Sequence, residues 1–151
     1  MIEIILMAHV LFGVGCPLAT LWVFVDVLNA SPKNLARIRR LSLAAAASMW
    51  VAFLIAGYWY VIFYKADKAV ILKGPWPFAH NIFMETKEHL VILLLMLATY
   101  LPIAAAGNLT ANRDARRVVL VVAALIIGLA LTAEGSGAVI AMGVKMGLLA
   151  R

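Results

Sequence analysis

The sequence predicts an all-α integral membrane protein, a polytopic bundle of four transmembrane helices. Of its 151 residues, 66% are hydrophobic and 13% are charged, whereas soluble domains are about half apolar and about a quarter charged. The apolar residues fall into four segments, and each is long enough to cross the roughly 30 Å hydrocarbon core of a bilayer. Residues 1–151 therefore form a single membrane domain, because too few residues remain for a separate soluble one.

The four helices are predicted at about residues 4–28, 41–64, 87–107 and 118–146. The first carries Glu3 where a signal peptide would carry a basic residue, so we expect this helix to be retained. The second ends in a cluster of aromatic residues, which is typical of the membrane interface. The fourth is long enough to cross the bilayer at a tilt.

The longest connection, residues 65–86, lies between the second and third helices. It mixes proline and glycine with aromatic side chains, which favours a segment lying in the outer interface over a loop in water. We expect Pro77 to open a helical turn that runs into the third helix, because the fixed φ angle of proline suits a first helical position.

The basic residues predict the orientation of the chain. The sequence has 13 Lys and Arg against 7 Asp and Glu, but most of the excess lies in two short connections, at residues 33–40 and 113–117. Basic residues hold such short loops on the cytoplasmic side of a membrane. We therefore expect no nucleic-acid partner, and we place both termini outside, in the periplasm, with the protein in a bacterial inner membrane.

Two further residues are assigned structural roles. Cys16 is the single cysteine, so no internal disulfide is expected, and no Cys-x-x-Cys-His motif is present for covalent attachment of haem. Asp26 lies at the inner end of the first helix, and we expect it to pair with Arg39 or Arg40 across the short loop.

The three histidines are the most informative ionisable residues, because such groups are costly within a membrane. His9 and His89 are predicted at similar depth in the first and third helices, with His80 in the loop above them. Two imidazoles on facing helices of a four-helix bundle are typical of the axial ligands of a b-type haem. We predict His9 and His89 as the ligands, with His80 as a substitute. The alternative is that they are interfacial polar residues.

Other residues near the same surface are assigned to the haem. Gly13 follows His9 by one helical turn and would leave room for the macrocycle. Polar and aromatic side chains at the outer interface would satisfy the propionate groups, namely Lys87, Lys73, Trp76 and Tyr58.

Glu134 stands alone among small residues in the outer half of the fourth helix. Burial would raise the pKa of such a carboxyl group, which would suit a proton acceptor in catalysis, and the group could instead hold a histidine N–H in place. Equally, it could hydrogen-bond to Ser136 or Thr132 or face a partner subunit.

Copper is the alternative cofactor. Met7, Met49 and Met84 are predicted near the outer half of the bundle, as the histidines are, and thioether and imidazole ligands together suit copper(I). However, methionines in an apolar chain mostly serve packing, and no Met-x-x-Met or His-x-His motif is present.

Two stretches of the sequence, Met7 to Gly15 and Glu85 to Tyr100, resemble the first and third helices of small four-helix membrane proteins related to the HemJ-type protoporphyrinogen oxidase and the CopD-type copper-resistance domain. In the HemJ-like pattern, an early histidine in helix one and a lysine opening helix three accompany a bound b-type haem, and His9 and Lys87 fall at those places. In the oxidase, the first helix is expected to end in a segment that contains an arginine and finishes with a histidine. Residues 22–29 of this sequence contain neither. The resemblance therefore implies a haem-compatible scaffold rather than porphyrinogen oxidation.

These observations predict a haem b electron-transfer protein that links the membrane, through its quinone pool, to an outside redox partner. It would act with a partner subunit or as a homo-oligomer, as part of an oxidoreductase, and whether it is an enzyme by itself stays open. The alternatives are a copper-handling or small-solute transport protein and a non-redox scaffold subunit of a membrane complex.

Overall fold

The computed structural model describes residues 2–150, which form an all-α bundle as predicted. Four of the helices in this range are long and apolar enough to cross a membrane, so the chain is an integral membrane protein. The elements in chain order are α1 (Ile2–Leu28), α2 (Leu35–Ile62), α3 (Tyr64–Lys73), a π-helical turn (Ala79–Met84), α4 (Glu85–Ala105) and α5 (Arg113–Leu149).

The four long helices form an antiparallel ring. Helix α2 packs between α1 and α4, and α5 closes the ring by packing against both α4 and α1. The start of α1, the end of α5, α3 and the π-helical turn share one end of the bundle, which we call the termini end. The connections at residues 29–34 and 106–112 share the opposite end, the loop end. Connections this short are typical of antiparallel neighbours.

The best-packed part of the bundle is its half nearer the loop end. Ile38, Leu101 and Ile126 belong to the buried cluster there and have no exposed surface. By contrast, large apolar side chains cover the outside of the ring, among them Leu11 and Ile103. This distribution suits a protein whose outer surface contacts lipid rather than water.

The connection between α1 and α2 corrects the predicted partner of Asp26. The Arg37 guanidinium, rather than that of Arg39 or Arg40, donates two hydrogen bonds of 2.7 Å to the Asp26 carboxylate. The Asn34 side chain also donates to the backbone oxygen of Asp26 at 3.1 Å. Arg37 reaches Asp26 because α2 begins at Leu35, ahead of the apolar run at 41–64 that marked its predicted start.

The segment predicted as an interfacial loop, residues 65–86, is mostly helical. Helix α3 and the π-helical turn occupy most of it, and residues 74–78 separate them. As predicted, Pro77 opens a helical turn, since its carbonyl oxygen accepts hydrogen bonds from the N–H groups of His80 and Asn81 at 3.1 Å. Helix α3 was not predicted, because its lysines and aspartate lower the mean hydropathy of the segment.

Candidate functional site

A cavity of about 440 Å³ opens within the termini-end half of the bundle. Its volume falls in the range of roughly 300–1,000 Å³ that is typical of ligand and cofactor pockets. Small residues create the space, because α2 presents Ala52 and Ala56 to it while α5 presents Ala133 and Gly137. Most of the lining is apolar, and the polar side chains that reach it are His9, Tyr60, Tyr64, Asp67, Lys87 and Glu134.

His9 lines the cavity from α1, and a hydrogen bond fixes its imidazole. Its Nδ1 atom lies 3.0 Å from the backbone oxygen of Ala52 on α2. A carbonyl oxygen can only accept, so Nδ1 donates the proton and the neutral ring keeps a lone pair on Nε2. In this tautomer, Nε2 is the ring atom that is able to accept a hydrogen bond or to bind a metal ion.

Lys87 and Glu134 bring opposite charges to the cavity. A Cβ atom built at Gly137 would lie 2.9 Å from Lys87 Nζ, and one built at Gly13 would lie 2.6 Å from Glu134 Oε1. The two glycines therefore make room for charged side-chain ends, and at Gly13 the carboxylate takes the space that was predicted for a macrocycle. Attraction between opposite charges offsets part of the desolvation free energy that burial of each group costs.

His89 does not reach the cavity, so the predicted pairing with His9 is not formed. Helix α4 turns Lys87, Val91 and Leu94 towards the cavity, and residues at this spacing share one helical face. His89 follows Lys87 by two positions and points the other way. Its ring is exposed, and its Nδ1 lies 2.7 Å from the backbone oxygen of Glu85.

His80, the predicted substitute ligand, is buried, but both of its ring nitrogens face other side chains. Nδ1 lies 3.0 Å from the Tyr64 hydroxyl, and Nε2 lies 3.7 Å from Glu85 Oε1. Trp76, the predicted propionate contact, packs against Phe78 with ring centroids 5.3 Å apart, outside the cavity lining. We therefore leave both out of the ligand site.

Three cavity residues were missed in the sequence, namely Tyr60, Tyr64 and Asp67. The sequence pattern assigned the tyrosines to an interfacial aromatic belt and placed Asp67 in a loop. Their spacing of four and three residues is that of one helical face, which could have suggested that helical structure continues past residue 64. The Tyr60 and Tyr64 rings stack with centroids 5.3 Å apart. Burial raises the pKa of the Asp67 carboxyl group.

Comparison of the chain with protein-family models, curated proteins and solved structures gives no match. The function is therefore argued from the geometry of the site. Within residues 2–150, no group of three or more His, Cys, Asp or Glu side chains could hold a bare metal ion. A haem needs fewer protein ligands, because its porphyrin supplies four of the iron's bonds and the protein supplies the axial ones.

Proposed function

We propose that this membrane protein binds a b-type haem in the cavity and that His9 would hold its iron. The observation that carries the proposal is the hydrogen bond from His9 Nδ1 to the Ala52 carbonyl oxygen. Metal-binding histidines almost always donate their second ring N–H in this way, which fixes the tautomer and raises the basicity of the ligating nitrogen. A single well-oriented histidine among apolar side chains suits haem better than a bare metal ion.

The other lining residues fit a haem as well. The alanines and branched side chains of the lining offer an apolar wall for the macrocycle. The Lys87 ammonium group is suited to a propionate carboxylate, since charge-assisted hydrogen bonds are the stronger ones. Met84 also lines the cavity, and a thioether is an established partner of histidine on haem iron. We propose Met84, in place of His89, as the second ligand.

The function we assign is electron transfer between the membrane quinone pool and a redox partner outside it. A bound haem supplies one-electron chemistry, and the protein contributes ligation, orientation and exclusion of water. The elements outside the long helices are short. A partner subunit or a second copy of the chain therefore completes the electron path in this proposal.

The haem proposal is tested by the absorption spectrum of the protein purified in mild detergent after expression with a haem precursor. We expect a Soret band and haem close to equimolar with protein. His9→Ala should lose most of the bound haem, and His89→Ala should keep it, because His89 faces away from the cavity. Added imidazole should restore the band to His9→Ala, which would show that this variant is folded.

Two outcomes would contradict this assignment. Unchanged haem content in His9→Ala would remove His9 as a ligand, and loss of haem in His89→Ala would restore the pair predicted from the sequence. A colourless wild-type protein would overturn haem binding altogether.

Copper(I) binding is the second candidate, because His9, Met49 and Met84 line the same cavity and offer the soft ligands that copper(I) prefers. Elemental analysis of the same preparation separates the two proposals. A wild-type protein that contains copper and shows no Soret band would favour copper handling, provided that Met84→Leu loses the copper. A wild-type protein with neither copper nor haem would favour a scaffold role.

A further inference from the structure

Three polar side chains connect the cavity with the surface at the termini end. Tyr64 lines the cavity, and its hydroxyl lies 3.0 Å from His80 Nδ1. His80 Nε2 lies 3.7 Å from Glu85 Oε1. The Tyr64 residue is 4% exposed and the His80 side chain 4%, whereas the Glu85 side chain is 54% exposed. The path therefore begins at the cavity, passes through buried groups and ends at the surface.

The π-helical turn places Glu85 beside His80. The Glu85 N–H donates to the His80 carbonyl oxygen five residues earlier, which is the hydrogen bond of a π-helix. At the 3.6 residues per turn of an α-helix, residues five apart would be rotated by about 140° from each other. The wider turn reduces this rotation and lets the two side chains meet. Such turns occur often at functional sites.

We propose that Tyr64, His80 and Glu85 form a proton relay between the cavity and the surface at the termini end. Tyr64 gives its hydroxyl proton to His80 Nδ1 and takes a proton from a group in the cavity. His80 releases its Nε2 proton to Glu85, which passes it to water. One proton crosses and nothing is oxidised or reduced. The transfer leaves His80 as its Nδ1–H tautomer, and exchange of this proton for one on Nε2 through water restores the starting tautomer. The same steps in reverse carry a proton from the surface to the cavity.

The contact between His80 and Glu85 is longer than a hydrogen bond. One bridging water, or a small rotation of the half-exposed Glu85 side chain, closes this gap. The contact between Tyr64 and His80 has hydrogen-bond length and joins two buried residues. Loss of the Tyr64 hydroxyl should therefore slow proton transfer most strongly.

The surroundings of Tyr64 favour proton exchange over ionisation of its hydroxyl. Burial raises the pKa of Tyr64, and the neighbouring Tyr60, Glu88, Asp67 and Glu85 raise it further. The hydroxyl therefore stays protonated near neutral pH, and it can donate one proton only while accepting another. Asp67 also lines the cavity and is the competing entry point for protons.

The test follows protonation of Glu134 inside the cavity by time-resolved infrared spectroscopy after a light-triggered drop in pH. Loss of the carbonyl band in Glu134→Gln assigns that band to the protonated carboxyl group of Glu134. We expect Tyr64→Phe to slow the appearance of this band by about a hundredfold, the lower end of what a positioned proton-transfer group contributes. Tyr100→Phe, at an exposed tyrosine near the loop end, should leave the rate unchanged.

A second variant keeps the test valid if Tyr64→Phe is poorly folded. His80→Ala should slow the band to a similar degree, and added imidazole should restore much of the rate. The relay is wrong if both variants keep the wild-type rate, if Asp67→Asn alone slows it, or if the Glu134 band never responds to the pH step. The readout needs no haem, so the relay and the haem proposal can fail separately.

Discussion

Asp67 shows how the cavity makes stability depend on pH. Burial raises the pKa of its carboxyl group above the ordinary value of 3.8, so the folded protein holds this proton to a higher pH than the unfolded chain does. The charged form therefore destabilises the fold. This penalty is complete above the raised pKa and disappears as the pH falls towards 3.8.

Asp67→Asn removes this penalty. We expect the variant to unfold at a higher temperature than wild type near pH 7, because an uncharged amide loses less solvation on burial. The difference should shrink as the pH falls through the window between the raised pKa and 3.8. Thermal unfolding in detergent at a series of pH values measures it. A difference that is the same at every pH would contradict the argument.

At the scale of elements, α3 and the π-helical turn are held to α5 by close backbone approach. A Cβ atom at Gly147 would lie 2.7 Å from the Val70 carbonyl oxygen, and one at Gly143 would lie 2.6 Å from the Ala79 Cβ. Glycines allow such approach between helices within a membrane. The position of Tyr64 and His80 over the cavity depends on this packing.

Gly147→Ala should separate α3 from α5. The obstructing atom is a backbone oxygen, which cannot move aside by a change of rotamer, so we expect a loss of about 1–3 kcal/mol, typical of overpacking. Thermal unfolding in detergent measures the loss.

The control for this variant is Gly128→Ala on the same helix, because no atom lies within 4 Å of a Cβ atom there. Alanine is favoured over glycine within helices by roughly 0.5–1 kcal/mol, so this variant should be as stable as wild type or slightly more stable. Equal effects of the two substitutions would show that the contact with Val70 is unimportant.

The whole molecule divides into a packed half and a hollow half. Side chains such as Val23 and Ala105 fill the bundle near the loop end, whereas the other half contains the cavity. Basic residues are concentrated beside the packed half, in the first turns of α2 and α5. The cavity at one end of the bundle and the basic cluster at the other therefore follow from the same antiparallel arrangement.

The orientation of the bundle is predicted from these basic residues. In intact bacteria, Lys73→Cys at the termini end should react with a membrane-impermeant maleimide, and Ala111→Cys at the loop end should react only after the cells are opened. The natural Cys16 has no exposed surface and should give no background. The reverse pattern would show that the cavity faces the cytoplasm.

Much of the architecture could be predicted from composition and topology. Apolar length identified the four spans, because a bilayer requires about 20 apolar residues per helix. Antiparallel connections then placed His9, Lys87 and Glu134 towards the same outer side of the bundle, and all three line one cavity. The start of α2 and the existence of α3 were not predicted, because polar helical turns carry no apolar signal.

The sequence by itself determined that this protein lies in a membrane and how many long helices it has. It also determined how far along its helix each polar residue lies. Only the tertiary structure decided the rotation of each helix about its axis. That rotation turns His9 and Lys87 inward and leaves His89 exposed. A soluble helix reveals its buried face through a polar opposite face. Helices that are apolar on all sides lack this signal, so packing against neighbouring helices selects the inward face.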